Sequence, residues 1–262
     1  VVPVSCWAYP EFHGIPASML VASPDAFDLP ALPPGARAVP FVARPSPEGT
    51  QLCLTWNGCV EEFDFRRVSA GMAANAALAL AAALYLGVPA DVLRTRITAW
   101  RPAALRGEVV QREGNLFYLD CYNANPASML DAVEAFDTRA DPAAPRLFVV
   151  GCMEELGAEA GALHRGTGER WPLRSGDRLI VFGTQAEDLA AGVRTRHPAA
   201  DVLVNPDRAS AAAALRAFRG SIFLKGSRRY ALETLLDGDL AGRMHAPGEA
   251  AGDRGGEVRT AC

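Results

Sequence analysis

The chain has 262 residues, of which half are hydrophobic and 21% are charged, a composition typical of a folded protein and not of a disordered one. The net charge of −4 gives no general attraction to phosphate backbones, so the composition argues against nucleic acid as a partner. Because single cores rarely grow beyond about 250–300 residues, the length allows one large domain or two ordinary ones, and we expect two.

The cysteines and the apolar runs indicate where the protein works. The six cysteines are scattered without a CxxC pair, and no signal-peptide pattern opens the sequence. We therefore expect reduced thiols in a cytoplasmic protein. The longest apolar run, residues 73–86, is shorter than the roughly 20 residues that a membrane span needs, so no membrane insertion is expected.

The first part of the chain predicts a small sheet followed by two helices. Residues 18–68 contain short β-forming runs separated by stretches rich in proline, glycine and serine. The alanine-rich stretch 70–86 then predicts a helix that ends at Gly87, and Pro89 begins a second helix. Residues 101–107 are expected to form a hinge or linker.

From residue 108 onward, apolar strands alternate regularly with amphipathic helices. The predicted strands cover 108–112, 116–120, 146–151, 177–183, 201–205 and 221–226, and the predicted helices cover 127–137, 159–170, 185–195, 207–218 and 229–236. This alternation is typical of an α/β domain with a mostly parallel sheet covered on both faces. The glycine-rich residues 238–262 lack periodicity and predict a disordered tail.

Polar residues follow the predicted strands, at the edge where ligands bind in folds of this class. They are Asp120 and the segments 151–155, 183–185, 205–207 and 225–228. A carboxylate at a strand end can accept hydrogen bonds from a ribose diol, or it can cap the following turn. The sequence leaves both roles open for Asp120.

Asparagines and one basic motif complete the polar set. Asn123 and Asn125 precede a proline that suits the first turn of a helix, so we expect one amide to cap that helix and the other to face a ligand. Lys225, the single lysine, is followed by Ser227 and Arg228, and these groups together suit a carboxylate or a phosphate. A solvated basic helix start is the alternative.

Two further features of the strand-end segments have plain structural explanations. Glu154 and Glu155 could simply complement the dipole of the helix that follows them, and His164 is expected to be structural. The sequence contains no GxxxxGK[ST] phosphate loop, no GxGxxG fingerprint and no metal-spaced Cys and His cluster. No metal ligand is predicted.

Three ordered motifs resemble the C-terminal domain of the Mur ligases. They read LDCYNANPASM at 119–129, VVGCMEELGAEAGALH at 149–164 and FLKGSRRYALE at 223–233. In the MurF branch of that family the corresponding patterns are approximately DDxYNANPxSM, GDMxELGxxxxxxH and VKGSRxxxxE. This branch adds D-alanyl-D-alanine to UDP-MurNAc-tripeptide in peptidoglycan synthesis.

The resemblance implies a domain organisation and a set of ligands. It implies an incomplete central ATPase domain at 1–104, a Rossmann-like C-terminal domain at 105–237 and a tail at 238–262. It also implies ATP and Mg²⁺ as cofactors, activation of the tripeptide carboxylate as an acyl phosphate, and attack by D-alanyl-D-alanine. The phosphate loop, the UDP-sugar domain and the metal ligands of the family are not found in this sequence, so another chain or further residues are expected to supply them.

The resemblance also assigns roles to single residues. Arg106 matches the hinge arginine that reaches the phosphates, which is a catalytic role. The predicted nucleotide contacts are Asn75 near the adenine, Asp120 at the ribose, and Tyr122. The predicted substrate contacts are Asn123, Asn125, Lys225, Ser227 and Arg228.

Departures from the family pattern keep alternatives open. Gly71 and Met72 replace a histidine and an asparagine near the nucleotide, Leu119 replaces an aspartate, and Cys152 replaces the aspartate of GDM. A catalytically inactive Mur-like binding or partner module is therefore the alternative to a ligase. An unrelated dinucleotide-binding domain is a third hypothesis, against which the missing glycine fingerprint argues.

Overall fold

A computed structural model describes residues 37–236, together with the backbone of two short strands at Val2–Pro3 and Leu20–Ala22. The predicted tail at 238–262 lies outside the described residues. The described residues form two sheets, the first with five strands and the second with six. The domain limits at 1–104 and 105–237 stay a prediction.

The first sheet has the strand order β1-β2-β3-β4-β5. Its elements are β1 (Val2–Pro3), β2 (Leu20–Ala22), β3 (Ala38–Pro45), β4 (Thr50–Trp56) and β5 (Cys59–Phe65), followed by α1 (Ala70–Tyr85) and α2 (Ala90–Ala99). Strands β1 to β3 are parallel, while β3, β4 and β5 pair antiparallel. Leu52 and Phe63 of the sheet pack against Ala77 and Leu80 of α1, which is why the helix is so rich in alanine and leucine.

The second sheet has the strand order β10-β9-β8-β11-β7-β6. Its strands are β6 (Glu108–Arg112), β7 (Asn115–Asp120), β8 (Arg146–Gly151), β9 (Arg178–Phe182), β10 (Asp201–Val204) and β11 (Ser221–Lys225). All neighbouring strands are parallel except the edge strand β6, which is antiparallel to β7. The predicted α/β class with a mostly parallel sheet is confirmed.

Helices cover both faces of this sheet. They are α3 (Pro126–Asp137), α4 (Ala160–Glu169), α5 (Ala186–Arg196) and α6 (Arg208–Ala217). Residues of α3 and α5 share one buried cluster, and residues of α6 lie in the cluster on the other side. After β9 and β10, the chain returns to insert β11 between β8 and β7. This insertion brings the last motif into the middle of the sheet.

The predicted helix at 229–236 is wrong. The chain forms two 3₁₀ turns, Arg228–Tyr230 and Leu232–Leu235, which are separated by Ala231 in the left-handed conformation with φ of 42°. The guanidinium of Arg208 donates to the carbonyl oxygens of Tyr230 at 3.0 Å and Ala231 at 3.1 Å, so these groups have partners outside any helix. The left-handed residue ends the first turn, so the segment cannot continue as one regular helix.

Helices α4 and α5 touch through their backbones at two glycines. A Cβ atom on Gly192 of α5 would lie 2.0 Å from the carbonyl oxygen of Arg165, and one on Gly168 of α4 would lie 2.2 Å from the carbonyl oxygen of Leu189. Helix backbones cannot move apart without losing the buried contacts around them. Only glycine is therefore compatible with this packing.

We expect Gly192→Ala to destabilise the protein by about 3 kcal/mol, the upper end of the usual cost of overpacking, because the clash is with backbone. Gly166→Ala is the matched control, since Gly166 lies on α4 with nothing within 4 Å of an added Cβ atom. The control should gain roughly 0.5–1 kcal/mol, because alanine loses less conformational entropy in a helix than glycine. Urea unfolding of both variants measures the two effects, and similar midpoints would contradict the packing argument.

Candidate active site

The strand-end residues of the three motifs come together because β7, β11 and β8 are adjacent parallel strands. Lys225 and Asp120 are register partners at the ends of β11 and β7. The Lys225 ammonium donates to Asp120 Oδ2 at 2.7 Å and to the carbonyl oxygen of Asn123 at 3.0 Å. The Lys225 side chain is 1% exposed, so this cation is an internal group that fixes the carboxylate and the loop after β7.

Asp120 retains one oxygen for a ligand. Its side chain is 19% exposed, and among the described residues its Oδ1 atom has no hydrogen-bond partner. Asp120 does not cap the next helix, because Asn125 does so: Asn125 Oδ1 accepts the Ser128 N–H at 2.8 Å, and Ser128 Oγ accepts the Asn125 N–H at 3.0 Å. The ribose role of Asp120 stays a prediction.

The two asparagines have different partners, and their predicted contacts with substrate stay a prediction. Asn125 is the helix cap, and the amide nitrogen of its neighbour Asn123 has no partner within the described residues. Asn123 Oδ1 accepts the Ala124 N–H at 2.8 Å, which fixes the side chain on the surface of the loop. Asn123 therefore presents hydrogen-bond donors at the strand edge, whereas Asn125 is occupied by the helix.

Arg106 stands on a sharply turned hinge before β6. Its neighbours Leu105 and Gly107 both have left-handed backbones, with φ of 61° and 67°. That conformation costs a leucine about 1–2 kcal/mol, so the buried Leu105 must be held by its surroundings. The Arg106 guanidinium lies 3.9 Å over the ring of Tyr122, which is 49% exposed. The predicted catalytic arginine and one predicted nucleotide contact are thus brought together.

Asn75 lies on a different element from the other predicted residues. It is exposed on α1, one turn after Gly71, whose N–H donates to Asp131 Oδ1 of α3 at 2.9 Å. A Cβ atom on Gly71 would lie 2.7 Å from Asp131 Oδ2, so the glycine at this position permits the contact. The face of α1 that carries Asn75 therefore meets α3, but no described hydrogen bond joins Asn75 to the strand-end residues.

The KGSR motif supplies one partly available cation. Ser227 Oγ accepts the Arg229 N–H at 3.4 Å and begins the first 3₁₀ turn. The Arg228 guanidinium pairs with Glu233, whose side chain is 5% exposed, while the Arg228 side chain itself is 52% exposed. Arg228 can therefore contact a ligand from an anchored position, and its role as a substrate contact stays a prediction.

Glu154, in the loop after β8, contacts two residues that follow β11, and the sequence analysis assigned none of the three to the site. The Tyr230 hydroxyl donates to Glu154, and the Arg229 guanidinium donates to the same carboxylate at 3.2 Å. Burial first, and then the hydrogen bond to Glu154, raise the pKa of Tyr230, so the phenol stays neutral. The signal available in the sequence was a tyrosine directly after KGSR, but its contact with Glu154 depends on the sheet order.

His164 and Cys152 are buried under this loop, and His164 binds its backbone. The fully buried His164 accepts the Met153 N–H on Nε2 at 2.9 Å, and its Nδ1 then donates to the carbonyl oxygen of Ala160 at 2.6 Å. This arrangement is the structural role expected for His164. Burial raises the pKa of Cys152 to about 12, so a neutral thiol stands where the family pattern has an aspartate.

Comparison with known proteins identifies the class of the second unit. Residues 105–228 match the family described as Mur ligase, glutamate ligase domain. The six-stranded sheet and the edge built from the three motifs thus define a Mur ligase C-terminal domain within this chain.

Among curated proteins, the chain is similar to MurF-type enzymes. It is 30% identical over 164 residues to UDP-N-acetylmuramoyl-tripeptide--D-alanyl-D-alanine ligase of Escherichia coli strain K12, covering 62% of this chain and 35% of that protein. It is 36% identical over 92 residues to the ligase of the same name from Treponema pallidum, covering 35% of this chain and 19% of that protein. The chain therefore spans about a third or less of these relatives.

Solved structures support the fold. The chain resembles MurF from Acinetobacter baumannii with a TM-score of 0.66 and 21% identity over 88% of this chain and 53% of that one. It resembles MurF from Thermotoga maritima in complex with ADP with a TM-score of 0.64 and 21% identity, over 87% of this chain and 55% of that one. At this identity the likeness concerns the fold alone.

Two findings limit the chemistry of the described residues. In the part of the chain that the structure describes, no group of three or more His, Cys, Asp or Glu side chains could hold a metal ion. Within the same part, no helix is long and apolar enough to cross a membrane.

Proposed function

We propose that this chain is part of a ligase that adds D-alanyl-D-alanine to UDP-MurNAc-tripeptide with ATP, and that it carries the C-terminal domain of that ligase. The observation that supports the proposal is the meeting of the three motifs at one sheet edge, where Lys225 fixes Asp120 and leaves Asp120 Oδ1 open. The remaining parts would come from residues outside this sequence or from another chain. The described cysteines are free, in keeping with work in the cytoplasm.

Each residue of the edge has a chemical task in this proposal. Asp120 accepts a hydrogen bond from a ribose hydroxyl, and the buried Lys225 holds the carboxylate in a fixed orientation. Arg106 leaves the Tyr122 ring and donates to phosphate oxygens, where negative charge develops. Asn123 and Arg228 hold the carboxylate and amide groups of the peptide substrates.

The described residues offer contacts for the nucleoside of ATP but no set of ligands for Mg²⁺. The open oxygen of Asp120 and the exposed face of Tyr122 suit a nucleoside, whereas the described residues offer no set of metal ligands. When bound, Mg²⁺-ATP would supply the phosphoryl group that activates the tripeptide carboxylate. The residues that hold the metal would then lie outside the described part of the chain.

A second candidate function is an inactive Mur-like module that binds a peptide or a ligase partner. Two replacements favour it: Gly71 stands where the family pattern has a histidine near the nucleotide, and the neutral Cys152 stands where it has an aspartate. Such a module would bind D-alanyl-D-alanine without any dependence on ATP. Binding measurements on the native protein separate the two candidates.

We expect Asp120→Asn in the native, full-length protein to weaken ATP binding about tenfold, because a ribose hydroxyl loses an ionised acceptor. Binding of D-alanyl-D-alanine should not change. Isothermal titration of both ligands measures the effect, and the melting temperature shows whether the variant folds.

Asp201→Asn is the matched control for this experiment. Asp201 also pairs with a basic side chain, Arg178 at 2.6 Å, but it lies at the beginning of β10 and thus at the opposite edge of the sheet. The ATP affinity of the Asp201→Asn variant should equal that of the native protein. If Asp120→Asn binds ATP as tightly as the native protein, Asp120 does not belong to the nucleotide site. If the native protein binds the dipeptide but not ATP, the inactive module is favoured over the ligase.

A further inference from the structure

Tyr230 lies across the ends of β8 and β9, on glycines. A Cβ atom on Gly151, the last residue of β8, would lie 2.7 Å from Cδ2 of the Tyr230 ring. One on Gly183, directly after β9, would lie 2.4 Å from the Tyr230 hydroxyl oxygen. The ring therefore fills the space that these glycines leave above the sheet.

Hydrogen bonds fix the ring in this place. The hydroxyl group donates to Glu154, the Arg229 guanidinium donates to the same carboxylate, and Arg208 donates to the Tyr230 carbonyl oxygen at 3.0 Å. His164 holds the backbone of Met153, the residue before Glu154. Both the tyrosine and the carboxylate that binds it are thus tied to the scaffold.

The other half of the same edge is open. At the ends of β11 and β7, Asp120 has a free Oδ1 atom, and the Tyr122 and Asn123 side chains are exposed. Because β11 lies between β8 and β7, the edge divides into a filled half over β9 and β8 and an open half over β11 and β7. The open half therefore offers a ligand more unoccupied polar groups than the filled half does.

We propose that Tyr230 and Glu154 form a wall that closes the β8–β9 half of the edge and limits the size of the amine substrate, which Asn123 and Arg228 hold beside the nucleotide. Tyr230 is then a specificity-determining residue that favours a short dipeptide with small side chains. The inference rests on the proposed function. Both residues occupy positions that the family pattern leaves unspecified, GDMxELG for Glu154 and VKGSRxxxxE for Tyr230.

The test compares Tyr230→Ala with Tyr230→Phe in the native, full-length protein. The measurement is kcat/KM for D-alanyl-D-alanine and for D-alanyl-D-phenylalanine as amine substrates. In Tyr230→Ala, kcat/KM for D-alanyl-D-phenylalanine divided by kcat/KM for D-alanyl-D-alanine should rise at least about tenfold. The fit of a single methylene group already changes substrate discrimination by about 10-fold or more. Tyr230→Phe keeps the ring, so its ratio should stay within about twofold of the native value. Tyr230→Leu serves if the alanine variant does not fold.

The outcomes separate the inference from the proposed function. If the native protein ligates D-alanyl-D-alanine but the ratio is unchanged in the alanine and leucine variants, the wall is overturned while the ligase stands. If the native protein ligates neither dipeptide, the proposed function fails, and the ratio of the two dissociation constants in the same variants tests the wall. Failure to bind either dipeptide would overturn the wall as well.

Discussion

Replacing Arg146 by alanine is expected to lower the free energy of unfolding by about 3–5 kcal/mol, the usual cost of breaking a buried ion pair from one side. The Arg146 side chain is fully buried at the beginning of β8, and its pair with Asp177 measures 2.5 Å between Nη2 and Oδ2. It also donates to the carbonyl oxygen of Pro172 at 2.6 Å and pairs with Asp137. The variant would leave the Asp177 carboxylate, 2% exposed, without its guanidinium.

Arg178→Ala is the matched control for this variant. Arg178 begins the neighbouring strand β9 and pairs with Asp201 at 2.6 Å, but both side chains are nearly half exposed. Water replaces the lost partner there, so the expected cost is at most about 1 kcal/mol. Urea unfolding measures both, and a loss below about 1 kcal/mol for Arg146→Ala would mean that the buried pair contributes no more than a surface pair.

The position of this network separates stability from ligand chemistry in the second sheet. Arg146 and Asp177 lie at the amino edge, where β8 and β9 begin, whereas Asp120 and Lys225 lie at the carboxyl edge, where β7 and β11 end. Variants at the amino edge should therefore change the melting temperature and leave ligand affinity unchanged in the protein that remains folded. Variants of the exposed side chains at the open half of the carboxyl edge, such as Asn123, should mainly do the reverse.

Periodic elements could be predicted from the sequence because local chemistry alone specifies them. Helix α3 begins at the predicted proline, with an asparagine cap before it, and β8 is a continuous apolar strand as expected. The helix expected at 229–236 failed because its interruption comes from contacts distant in sequence. The hydrogen bonds from Arg208 and the packing of Tyr230 on Gly151 and Gly183 determine that local structure. These contacts cannot be read from the sequence of the segment itself.

The strand-end positions of the candidate site residues could be predicted from the sequence, but the contacts between them could not. The sequence indicated that Asp120 and Lys225 would lie at strand ends, yet it could not show that the two would form an ion pair. That pairing requires β11 to insert beside β7, which is a property of the sheet order. The same order brings Tyr230 to Glu154, and for this reason the sequence reasoning assigned neither of them to the site.

We expect Arg106→Ala to lower kcat for ligation in the native, full-length protein by about 10²–10³, the usual cost of removing one group that stabilises transition-state charge. In the described structure the guanidinium lies on the Tyr122 ring, a contact worth about 0.5–1 kcal/mol at an exposed site. Hydrogen bonds to charged groups are worth about 1.5–3 kcal/mol, so phosphate can draw the arginine away from the ring. The KM for ATP should change less than kcat.

Arg101→Ala is the control, because Arg101 belongs to the same linker but, among the described residues, donates only to the nearby carbonyl oxygens of Thr98 at 3.1 Å and Trp100 at 2.8 Å. Its kcat should remain close to the native value. An equal loss in both variants would show that the linker needs positive charge in general. A kcat within about threefold of native in Arg106→Ala would remove Arg106 from the reaction, because no group acting on the transition-state charge could be lost so cheaply.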